Sequence, residues 1–201
     1  MKLLSFAALA VVMSFGICGN VRAQSTLTYE AFLSGPNESP PNASPGTGFA
    51  VVTVNTGYAG TDDWLTVDVS FSGLLGTTTA SHIHAATATP GTGTAGVATT
   101  TPTFAGFPLG VTSGVYTNTL DLTLASSYNP AYVTANGSIA GAETALLAAI
   151  ASDEAYLNIH TTVVPGGEIR GFLVPVPEPS TYALAATGAG MLWAAMRRRR
   201  G

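Results

Sequence analysis

The chain has 201 residues, of which 46% are hydrophobic and 9% charged, and its formal net charge at neutral pH is -4. Cys18 is its only cysteine, which excludes a disulfide framework and a thiolate metal centre. Residues 24–176 hold ten acids against one base, Arg170, so this stretch carries about minus nine and should repel nucleic acid and anionic membrane surfaces.

Residues 1–23 read as a secretory signal peptide. Lys2 precedes an apolar stretch, and Val21-Arg22-Ala23 offers a small-residue site for signal peptidase before Gln24. Cys18 would leave with that segment, so the mature protein must be stabilised by packing alone.

Residues 24–174 read as one β domain. The clearest strand spans 64–72, where Leu65, Val67, Val69 and Phe71 alternate with Thr66, Asp68, Ser70 and Ser72, giving one apolar and one wet face. Similar alternations or β-branched runs fall at 27–33, 48–55, 80–85, 115–124, 154–161 and 168–174. Gly35-Pro36, Pro40-Pro41, residues 57–63, 73–76, Tyr128-Asn129-Pro130 and Pro165-Gly166-Gly167 punctuate them. Seven or eight short strands with this punctuation predict an antiparallel β-sandwich. One short helix is expected over 142–151, with Leu146, Leu147 and Ile150 on a shared face. Residues 85–106 lack periodicity and read as a long loop with one strand near Val97.

Beyond the domain, 175–180 is a Pro-rich segment containing Val176-Pro177-Glu178-Pro179-Ser180, and an apolar run follows over 181–196. Sixteen residues in a helix reach ~24 Å, close to the hydrocarbon thickness of a bilayer, so the run is read as a transmembrane helix. Arg197, Arg198, Arg199 and Arg200 in the 197–201 tail anchor its cytoplasmic end, which places the domain on the periplasmic side of the inner membrane.

The three histidines fall in two segments, Ser81-His82-Ile83-His84 and Asn158-Ile159-His160-Thr161. Period-two geometry puts His82 and His84 opposite Ile83, Asn158 and His160 opposite Ile159, and Glu168 and Arg170 opposite Ile169. With the isoleucines facing the core, six polar groups would line the other surface. A two-residue turn at Pro165-Gly166 pairs His160 with Gly171 and points Glu168 away. A three-residue loop pairs His160 with Phe172 and brings Glu168 and Arg170 to the histidine face. His82, His84 and His160 as neutral imidazoles, with Glu168 as a weaker fourth ligand or as an acceptor behind them, would suit zinc or copper; the alternative is a structural polar cluster without a cofactor. Arg170 is expected to form a structural ion pair with Glu168 or another acid. Asp62-Asp63 lacks the spaced oxygen ligands of a calcium loop and reads as a solvated turn.

Two resemblances attach to these residues. The Val-Pro-Glu-Pro-Ser motif, short apolar run and terminal arginines resemble the PEP-CTERM sorting signal, which implies an exosortase-type processing enzyme, transient anchorage in the inner membrane, and a mature form at the cell surface or outside the cell. Leu33-Ser34-Gly35, Asn37-Glu38-Ser39-Pro40-Pro41, Gly46, Gly48, His82-Ile83-His84, Tyr156-Leu157-Asn158-Ile159-His160-Thr161 and the run 165–171 resemble the CHRD domain over roughly residues 27–173. The chain departs from that pattern at Ala85-Ala86, where glycine commonly follows. The CHRD resemblance implies a β-rich module with no established catalytic role. Together they predict a noncatalytic cell-surface or extracellular-matrix module, not an enzyme, whose partners would be extracellular polysaccharide or surface proteins; a metal-binding domain is the alternative.

Overall fold

A computed structural model describes residues 25–57 and 63–177. The expected signal peptide, the apolar run 181–196 and Arg197 to Arg200 lie outside the described residues. Among the described residues no helix is long and apolar enough to cross a membrane.

The elements in chain order are β1 (Ser25–Ser34), β2 (Thr47–Thr56), β3 (Trp64–Ser72), β4 (Thr78–His84), β5 (Gly114–Asp121), α1 (Pro130–Ala135), α2 (Ile139–Ala151), β6 (Tyr156–Thr161), β7 (Ile169–Phe172) and β8 (Val174–Pro175). All described strand pairings are antiparallel. The strands join in one sheet of order β4-β6-β7-β1-β2-β3-β5, with β8 also on β1. The fold is therefore all-β, but it is a single curled antiparallel sheet where a sandwich of two separate sheets was expected. The junction is narrow, since Ser34 opposite Arg170 is the only β1–β7 register pair. The curl about this junction lets both arms contribute to one core.

The β1-β2-β3-β5 arm has the alternation anticipated for 64–72. Ala31, Ala50, Val69 and Tyr116 form one cross-strand row and Leu27, Val54, Leu65 and Leu120 another. Of these, all but Leu27 are buried, while Glu30, Val51, Asp68 and Thr117 form a row on the other face. From the other arm Ile83, Ile159 and Ile169 enter the same core, each 0% exposed. Burying such apolar side chains contributes roughly 1.5–3 kcal/mol each.

The helix expected over 142–151 is α2, which starts three residues earlier because the Ser138 hydroxyl caps it, accepting from Gly141 N–H at 3.0 Å. Ala142, Leu146, Ala149 and Ile150 are its buried face. The one-and-a-half-turn helix α1 was not anticipated; Asn129 caps it and Pro130 opens it, so the Tyr128-Asn129-Pro130 turn signal is also a helix start.

Residues 85–110 are an ordered strap along the free edge of β4. Ile83 N–H donates to Thr99 Oγ1 (2.9 Å), Ala98 N–H to Ile83 C=O (3.0 Å), Ser81 N–H to Thr103 Oγ1 (2.9 Å) and Phe104 N–H to Ser81 C=O (3.1 Å). Val97 forms an isolated bridge with His84 where a strand was expected. Threonine hydroxyls thus replace a neighbouring strand, and the edge is covered.

Candidate functional site

The histidines sit where β4 and β6 pair, with His82 opposite Asn158, His84 opposite Tyr156, and Ala80 opposite His160. Residues opposite one another in an antiparallel pair share a face, so all three histidines lie on the face away from the isoleucines. That face is not a wet surface. The 85–110 strap and the segment after β1 lie over it, leaving His82 and His84 buried and His160 half-buried.

The rings form a near-equilateral triangle, with centroids 5.7 Å apart for His82 and His84, 5.3 Å for His82 and His160, and 5.7 Å for His84 and His160. One nitrogen from each lies within 4.8 Å of its counterparts. The other nitrogens are occupied. His82 Nε2 bonds Pro102 C=O at 2.5 Å, His84 Nδ1 bonds Ala95 C=O at 2.9 Å, and His160 Nδ1 bonds Pro165 C=O at 2.9 Å. A carbonyl only accepts, so each of these nitrogens must carry the proton, and the tautomers follow. The remaining lone pairs are on His82 Nδ1, His84 Nε2 and His160 Nε2. All three are shielded from solvent and have no hydrogen-bond partner among the described residues.

Burial lowers the pKa of all three imidazoles, against the carbonyl hydrogen bonds that raise it; His84, also facing His160, His82 and Arg170, falls to about 4. Each histidine is therefore neutral at physiological pH.

Glu168 does not join them. Neither expected register is formed, because β6 and β7 pair with Ile159 opposite Ile169 and Asn158 opposite Arg170. The connection is longer than a two- or three-residue turn, and Glu168 stands just outside β7, its N–H donating to Ile159 C=O at 2.8 Å. Its carboxylate, 0% exposed, accepts from Ser44 Oγ (2.6 Å), Thr161 Oγ1 (2.6 Å), Leu75 N–H (2.6 Å) and Gly76 N–H (3.1 Å). Burial would raise its pKa, but these four hydrogen bonds outweigh that and hold it below the usual carboxylate value. It ties three loops together, and Gly76 is required there: a Cβ would stand 2.6 Å from Val163 N.

Arg170 pairs with Glu38, not with Glu168. Its Nε lies 3.7 Å from Glu38 Oε2, while its N–H groups donate to Asn37 C=O (2.5 Å) and Gly93 C=O (2.9 Å). The guanidinium also lies over the Tyr156 ring at 4.7 Å, and Tyr156 stacks on His84 at 4.9 Å with planes 8° apart. The sequence places Tyr156 in the CHRD-like motif without a role of its own, and it gives no sign of the three capping carbonyls. Tyr156 alternates with Asn158 and His160 on one strand face, a usable signal; the carbonyls leave none.

Asp63, from the expected solvated turn, accepts from Gly57 N–H at 2.9 Å. Residues Val176 and Pro177 of the sorting motif directly follow β8, and Val176 N–H donates to Thr28 C=O at 2.8 Å; Glu178, Pro179 and Ser180 lie outside the described residues.

No curated protein and no solved structure matches the chain. The PEP-CTERM protein-sorting motif matches residues 175–200, which marks an exported protein made as a membrane-anchored precursor and sorted by an exosortase. The CHRD domain matches residues 29–173, from β1 to the residue before β8 and including all three histidines, and the chain belongs to the CHRD family.

Proposed function

We propose that the protein is a noncatalytic module of the cell surface or extracellular matrix, released from its membrane-held precursor when an exosortase-type enzyme cuts at the Val176-Pro177-Glu178-Pro179-Ser180 motif. The observation that carries this reading is the junction between domain and motif. Among the described residues the last backbone hydrogen bond is Val176 N–H to Thr28 C=O, and the sorting match begins at residue 175. A cut beyond that bond separates the domain from its anchor without removing any described strand.

The noncatalytic part of the reading is supported by how the polar groups are spent. The three imidazoles hydrogen-bond only backbone carbonyls, so none is set as a base beside a serine or threonine nucleophile. With about minus nine charges over residues 24–176, the partners favoured are neutral polysaccharide or basic surface proteins, not nucleic acid.

Replacing Pro177, Glu178 and Pro179 with alanine tests the sorting step. Fractionation followed by an immunoblot should show the uncleaved, membrane-bound precursor accumulating. Normal trimming and release of that variant would overturn the reading.

A further inference from the structure

We propose that His82, His84 and His160 form a mononuclear binding site for zinc or copper, ligated through His82 Nδ1, His84 Nε2 and His160 Nε2. The inference is independent of how the chain is sorted.

Three observations carry it. First, the carbonyls of Pro102, Ala95 and Pro165 each fix a tautomer and turn the opposite nitrogen's lone pair into the cluster. This is the arrangement behind metal-ligating histidines, where the distal N–H is held by a carbonyl or carboxylate. Second, those three lone pairs are buried without donors. A buried acceptor left unpaired is destabilising. One water molecule has two hydrogens and satisfies two of the three, whereas one cation satisfies all of them. Third, the ligands come from β4 and β6, two adjacent strands of the sheet, so the frame exists before an ion arrives. Neutral nitrogen donors exclude magnesium and calcium, which take oxygen ligands, and suit zinc and copper.

Zinc at ~2.0–2.1 Å from each ligand brings tetrahedral nitrogens to about 3.3 Å from one another. The present upper spacing of 4.8 Å is larger, so the ion would draw the rings inward. His160, half-buried and at the end of β6, has the most room to move. Glu168 is held by four other hydrogen bonds and Glu38 is not among the clustered ligand atoms, so the protein supplies three ligands and the fourth position is left to water or a small anion.

The test uses the full chain, produced without a histidine tag, purified in detergent, stripped with chelator and then equilibrated with zinc chloride or copper chloride. Mass spectrometry of metal content should give one ion per chain, and the melting temperature should rise. His84→Ala and His160→Gln should each lose stoichiometric metal. Because His84 is buried and its variant is at risk of misfolding, His160→Gln is the deciding variant, with circular dichroism confirming its fold. Cobalt loading adds an independent readout, since nitrogen-ligated cobalt has visible bands that should vanish in His160→Gln. Folded wild-type protein that takes up neither zinc nor copper would overturn the proposal. So would stoichiometric metal retained by a folded His160→Gln.

Discussion

Glu38 is the residue whose chemistry departs furthest from what its neighbours promise. It faces Arg170, yet burial pushes its carboxyl up to about 7, with Arg170, the Ser39 backbone and Asn158 pulling less strongly the other way. The geometry explains the outcome. The 3.7 Å separation exceeds hydrogen-bonding distance, two of the guanidinium's N–H groups go to Asn37 and Gly93 carbonyls, and Glu38 Oε1 is buried without a partner. A folded-state pKa above the ordinary 4.5 means that the folded protein holds more protons between pH 4.5 and about 7. This contribution to stability is present below pH 4.5 and is lost as pH rises through about 7. Wild type should therefore lose about 2.5 kcal/mol relative to Glu38→Gln between pH 5 and 8. Urea denaturation of both proteins across that range measures it, and a difference that stays flat with pH would refute the assignment. Comparing the two proteins cancels the histidines, whose lowered pKa values give the opposite slope.

At the scale of elements, the strap over β4 is what turns a strand edge into an enclosed site. Thr99, 0% exposed, receives Ile83 N–H on its hydroxyl, and the same strap supplies the carbonyls that hold His82 and His84. Thr99→Val keeps the shape but strands the Ile83 donor, at a cost of about 1–3 kcal/mol. Hydrogen exchange should accelerate at Ile83 more than at Val67 in β3, and unchanged protection at Ile83 would show that the strap does not rely on this bond.

The strap also marks where the sequence stops being legible. Strand 64–72 was readable to the residue because its apolar and polar positions alternate without interruption. The same period-two pattern separated Ile83, Ile159 and Ile169 from their polar neighbours, and all three are buried in the core. What lies over the opposite face was not readable, since residues 85–106 have no period and their hydrogen bonds are made by threonine hydroxyls and carbonyls at tertiary distances. Turn chemistry marked Pro165-Gly166-Gly167 but left open how many further residues the connection takes. The β6–β7 register and the direction of Glu168 followed from that missing length. The union of the strands in one sheet rests on the single Ser34–Arg170 register pair between β1 and β7, which no local pattern encodes.

For the molecule as a whole, the first strand and the last share a ladder. Tyr29 pairs with Pro175, Glu30 with Val174, and Val176 N–H closes on Thr28 C=O, while Leu173 just before them is 0% exposed. The sheet is thus tied from its end to its beginning at the point where the sorting motif starts. Val174 and Val176 are 51% and 38% exposed, so this clasp works through backbone hydrogen bonds more than through burial. Each such bond contributes about 0.5–1.5 kcal/mol net. Two shortened chains separate the clasp from the anchor. One that ends at Pro177 retains every described strand and should melt at the same temperature as the domain in the full precursor. One that ends at Leu173 loses β8 and should be less stable by about 1–4.5 kcal/mol, the sum of two or three backbone bonds. Calorimetry of the three proteins decides the matter. If the chain ending at Pro177 were as destabilised as the one ending at Leu173, the domain would depend on residues beyond the clasp, and trimming at the motif would cost the module part of its stability instead of leaving it intact.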